Sequence, residues 1–111
     1  MSRLVVLSLI VFAVSNLEAA LYKGQKEFIK RCSRCHTNGQ AFISKKSSAE
    51  WEEYMKNNAD ELMKVHLNTG DTQKRDSYDY FKNGRVEKNS NHLLQFLIEY
   101  SKDSGNVPAC N

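Results

Sequence analysis

Two cysteines and a histidine in one run of five residues, Cys32-Ser33-Arg34-Cys35-His36, carry most of the chemistry open to this chain. Two thiols three positions apart can each add to one vinyl group of a single porphyrin, giving two thioether bonds. The histidine directly after the second thiol is then placed beneath the iron, where an imidazole nitrogen is a good axial ligand. A C-x-x-C-H run is the attachment signature of a c-type haem. Other uses of a C-x-x-C pair fit less well. A four-ligand zinc cage needs a second ligand pair, but the only further cysteine is Cys110, and His66 and His92 lie too far apart to supply it. A thioredoxin-like dithiol asks for a βαβ pattern around it, and none is visible. The expected cofactor is one covalently bound haem c per chain, with Cys32 and Cys35 as thioether anchors and His36 as the proximal iron ligand.

The N-terminus supports this reading. Arg3 precedes an apolar stretch from Leu4 to Val14, and Asn16-Leu17-Glu18-Ala19-Ala20 ends in small residues. That is the layout of a secretory signal over residues 1–20, cleaved after Ala19 or Ala20. The apolar stretch is too short to span a bilayer by itself, so an uncleaved anchor is the weaker alternative. Covalent haem attachment takes place outside the cytoplasmic membrane, so motif and signal point to the same compartment, the periplasm of a bacterium.

Removing the signal leaves 91 residues, 21–111, which is one domain. A chain of that size buries a modest core and often needs a staple. A covalently held apolar disc supplies one, so the chain without it should fold poorly. The formal charge of +3 is unevenly spread. From Leu21 to Lys46 seven bases face one acid, a net +6, whereas residues 47–111 hold eight bases against eleven acids, a net −3. The positive end holds the haem motif. Nothing in the pattern points to nucleic acid.

The elements that must position these residues read as helices. Gly24, Phe28 and Cys32 recur every four residues along a first helix from Leu21 to Cys32. A glycine on that buried stripe costs about 1 kcal/mol of helix propensity, and close approach by another helix would offset it. Thr37 to Lys46 reads as a loop with Phe42 and Ile43 as apolar anchors. Ser47 and Glu50 form a capping box opening a second helix, with Trp51, Met55, Ala59, Leu62 and His66 on one face and stop signals at Asn68 and Gly70. Tyr78 and Phe81 suggest a short third helix before an Asn83-Gly84 turn. Ser90 reads as the N-cap of a last, strongly apolar helix, with Gly105 as its C′ residue.

The run Gly24, Phe28, Cys32, Cys35, His36 resembles the N-terminal signature of the class I c-type cytochromes, and Leu94-Gln95-Phe96-Leu97 resembles their C-terminal helix. The resemblance implies an all-α, small cytochrome c-like fold. Three to four helices would wrap one covalently attached haem, and the N- and C-terminal helices would cross near the glycine, with Phe96 against Gly24 and Phe28. It also implies an electron carrier rather than an enzyme. Its partners would be periplasmic or membrane-bound redox proteins, and the +6 segment suits acidic docking faces.

One departure from the family concerns the iron. The family's second axial ligand is usually a methionine in the loop before the last helix, and Lys82 to Asn91 contains none. His66, on the inward stripe of the second helix, is the leading distal candidate and Met63 the runner-up, followed by His92, Met55 and an open site. An open or weakly capped iron would instead make the chain a haem-based ligand binder or sensor. Cys110, an odd cysteine in an oxidising compartment, offers an intermolecular disulfide or a bare tail thiol.

Overall fold

The computed structural model of the chain describes residues 18–68, 75–83 and 85–106, and every regular element within them is helical. Helix α1 covers residues 18–31, α2 Gly39–Ile43, α3 Ser48–Leu67, α4 Arg75–Lys82 and α5 Arg85–Glu99. The all-α expectation holds, with five helical segments in place of three to four. Most of the expected signal segment, Gly70, Gly84 and Cys110 lie outside the described residues. No helix among the described residues is long and apolar enough to cross a membrane.

Helix α1 meets α5 at Gly24. A β-carbon there would land on the backbone carbonyl of His92 and 2.8 Å from Phe96 Cβ. One turn on, the Phe28 and Phe96 rings pack with centroids 5.6 Å apart. The glycine therefore trades helix propensity for contact between two backbones. Gly24→Ala forces the helices apart, and overpacking of this kind costs about 1–3 kcal/mol. A denaturant melt should show the loss, and an unchanged midpoint would show that α1 can slide without penalty.

Helix α5 starts at Arg85, not after Ser90, and ends at Glu99, well before Gly105. The reason is its buried stripe. Val86, Ser90, Leu93 and Leu97 share one face, so the apolar pattern extends a full turn N-terminal of the serine. Ser90 fits inside the helix by donating its hydroxyl to the Glu87 carbonyl at 3.1 Å. Gly105, at φ +82°, sits in the tail beyond.

Helix α3 opens as the capping box anticipates, with Ser47 Oγ accepting from the Glu50 N–H at 3.2 Å. Its middle departs from the continuous helix read from the stripe. Asn57, Asn58 and Ala59 all adopt left-handed conformations, with φ of 54°, 58° and 61°. Each costs roughly 1–2 kcal/mol in an L-residue, least for asparagine. Ala59, at the end of the break, is fully buried. Residues from both halves of α3 line one cavity. Helix α3 packs mainly on α5, and α4 lies against both.

The tail after α5 also closes the N-terminal end of α3. Asp103 Oδ1 accepts from the Ser48 N–H at 2.7 Å and from the hydroxyls of Ser48 and Ser101 at 3.0 and 3.1 Å. The Lys102 N–H reaches the Lys46 carbonyl at 2.8 Å. A carboxylate thus caps the helix from across the fold, and these donors hold the Asp103 pKa below its ordinary value. A depressed folded pKa means stability that is present above the ordinary carboxyl range, about 3.9, and lost as the pH falls through the folded value. Asp103→Ala should therefore lower the melting temperature near neutrality. The gap between variant and parent should shrink below about pH 4, and a gap that persists in acid would contradict the assignment.

Candidate functional site

The C-x-x-C-H run forms the turn that ends α1. The Cys32 N–H bonds the Phe28 carbonyl at 2.8 Å, and the His36 N–H bonds the Cys32 carbonyl at 2.9 Å. Cys32 faces inward while Cys35 is exposed. The two thiols border a cavity of about 390 Å³ that takes in His36 from one side and His66 from the other. Pockets for small molecules and cofactors run from about 300 to 1,000 Å³, so the size suits a cofactor held with part of its edge in solvent.

The walls are largely apolar. Phe28, Leu93 and Leu97 come from α1 and α5, Leu62 and Val65 from the second half of α3, and Phe81 from α4. Phe42, on the short helix α2, stacks on the His36 ring with centroids 4.0 Å apart and planes 18° apart. That contact explains α2: the stretch read as a loop winds into one helical turn that buries Ile43 and presents Phe42 to the histidine. The Trp51 indole N–H donates to the Ile43 carbonyl at 2.9 Å and fixes the turn against α3.

Across the cavity, His66 stacks on Phe81 at 4.3 Å, and its Nδ1 lies 2.7 Å from the Leu62 carbonyl. A carbonyl oxygen only accepts, so Nδ1 carries the proton and Nε2 bears the ring's lone pair. A backbone carbonyl behind one ring nitrogen is the usual way a metal-ligating histidine is oriented. The ring centroids of His36 and His66 are 6.3 Å apart. Two metal–imidazole bonds of about 2.0–2.1 Å, with half a ring beyond each, add up to roughly 6 Å. The spacing thus admits one metal atom on a line between the rings.

Of the other distal candidates, none reaches this space. Met55 is buried in the core, Met63 packs partly buried against it, and neither lines the cavity. His92 sits at the α1–α5 crossing, where its carbonyl faces Gly24.

The electrostatics separate the two thiol chemistries. Burial pushes the Cys32 thiol up to about 12, with the charges of Glu27 and Cys35 adding to the effect. A dithiol exchange site works through a lowered thiol pKa, and Cys32 is shifted the other way. Among the described residues, no three His, Cys, Asp or Glu side chains converge as a cage for a bare metal ion. The donor set fits a haem: two thiols at one edge, an imidazole on either face, and apolar walls between.

No protein-family model matches the chain, and comparison with curated proteins and with solved structures finds no match.

Two residues of the site escaped the sequence reading. Arg31 and Tyr80 both line the cavity, with the guanidinium carbon 5.0 Å from the tyrosine ring centre. Arg31 precedes the first cysteine and looked like one more base in the positive segment. Tyr80 sits beside Phe81 in a polar stretch whose helix phase sequence alone does not define.

Proposed function

We propose that the chain is an exported monohaem c-type cytochrome that carries single electrons between redox partners. Cys32 and Cys35 would hold the haem covalently, and His36 and His66 would ligate its iron. The observation that carries this reading is the pair of imidazoles, 6.3 Å apart across a cavity bordered by both cysteines. The crossing of α1 and α5 at Gly24 supports the class I cytochrome-like arrangement that the motif suggests.

The bound haem would supply a one-electron Fe(III)/Fe(II) couple, whose potential is set by the axial ligands, hydrogen bonds and burial. The chain's own residues orient and shield. Leu62, Leu93 and Leu97 keep water from the faces of the ring, and the Leu62 carbonyl holds the His66 tautomer. A second imidazole in the cavity favours the carrier over the ligand-binding alternative, which needs an open iron. Electrons would pass at the solvent side, where Cys35 and Val65 are exposed and Lys46 lies 4.9 Å from the centre of the Tyr54 ring. The surrounding bases suit an acidic partner.

Expression with a haem-maturation system tests the reading. The purified protein should keep its colour through acid–acetone extraction, because thioethers survive where coordination bonds do not. Its oxidised spectrum should be low-spin and lack a methionine–iron charge-transfer band. Complete extraction of the pigment would end the proposal.

A further inference from the structure

Glu27 and Arg31 form an ion pair one helical turn apart on α1, with Oε1 and Nε 3.8 Å from each other. Both atoms are buried, and neither completes a hydrogen bond. The exposed pairs Lys56–Glu53 and Lys64–Asp60 close to 2.9 Å, so this half-buried pair is the loosest of the three. A third buried polar atom, the Tyr80 hydroxyl, lies in the same cluster. Burial, with the Glu27 carboxylate beside it, holds the Tyr80 phenol above its ordinary range. Partly burying charge with incomplete pairing opposes folding.

The position of the cluster suggests what it does. Arg31 and Tyr80 are part of the cavity wall, and Arg31 is bonded to Cys32, the buried anchor. The field of Glu27 is felt at Cys32 itself, where it adds to the upward shift of the thiol.

We infer that Glu27 and Arg31 set the reduction potential of the haem held at Cys32 and Cys35, as a half-buried pair of opposite charges with Arg31 in the cavity wall. The inference rests on the electron-carrier reading. Oxidation adds one positive charge at the centre of the pocket. A nearby carboxylate stabilises that state and lowers the potential, whereas a guanidinium opposes it and raises the potential. In a poorly polarisable interior such charges act over several ångströms, and dissolved salt screens them far less than surface charges. The loose pairing matters here, because a tightly closed ion pair would largely cancel its own field at a distance.

The test is a set of midpoint potentials by spectroelectrochemistry on the haem-loaded protein, at low and high salt. Glu27→Gln should raise the midpoint and Arg31→Gln should lower it, both shifts surviving high salt, while Glu27→Asp stays near the parent. A merely structural role would let water into the cavity in either variant and move both potentials the same way. An unchanged or lowered midpoint in Glu27→Gln, with its low-spin spectrum intact, overturns the inference and leaves the carrier reading standing. If Glu27→Gln does not fold, Arg31→Gln decides alone, and a midpoint that fails to fall is the overturning result. Parent protein that loses its pigment to acid–acetone overturns the carrier reading, and this inference with it.

Discussion

Replacing Cys32 and Cys35 together with alanine yields a colourless chain with little cooperative structure. The cost follows from the cavity. A space of about 390 Å³ between α1, α3, α4 and α5 separates the elements that form the core. At about 24 cal/mol per Å³ of cavity, an unfilled space of that size costs at most about 9 kcal/mol. The whole stability of a small domain is about 5–15 kcal/mol, so the eleven buried apolar residues of the core are left with little margin. Acid–acetone extraction, far-UV circular dichroism and a thermal melt read the result. A double variant that melts cooperatively at the parent's temperature would show that the protein core stands without the haem. Cys35→Ala alone keeps the buried anchor and should retain the pigment with lower stability.

His66→Ala should convert the iron from low-spin to high-spin and let the reduced protein bind carbon monoxide rapidly. The argument is geometric. His66 alone among the four distal candidates lines the cavity, with Phe81 against its face and the Leu62 carbonyl behind Nδ1. Removing the imidazole leaves Leu62 and Val65 around that face of the iron, and neither can ligate it. Met63→Ala and His92→Ala should leave the spectrum unchanged. His66→Met should restore a low-spin iron and raise the midpoint potential, since methionine raises potentials relative to histidine. An unchanged spectrum in His66→Ala removes His66 from the site. A parent protein that takes up carbon monoxide fast and completely would return the ligand-binding reading to first place.

The parts of this molecule that were legible in the chain are those governed by neighbours within about one helical turn. The C-x-x-C-H spacing sets which atoms can reach one porphyrin, whatever surrounds them. The recurrence of Gly24, Phe28 and Cys32 placed the glycine on a contact stripe, and the contact is there, against His92 and Phe96. The serine of the capping box at Ser47 sits at the start of α3 because its hydroxyl competes only with local backbone groups.

Other features depend on residues far apart in the chain. The stripe ranked His66 ahead of Met63, but only folding puts His66 6.3 Å from His36 and leaves Met63 packed on the core. The stripe from Trp51 to His66 is compatible with an unbroken helix. The three left-handed residues at its centre have no counterpart in that stripe. Ser90 has the composition of a cap, but the burial of Val86 carries α5 past it. The cap on Ser48 comes from Asp103, 55 residues away, and the cluster of Glu27, Arg31 and Tyr80 exists only because α4 brings a tyrosine to α1. Local spacing limits the chemistry open to the five-residue run, whereas the side chains that face it across the cavity depend on how the helices pack.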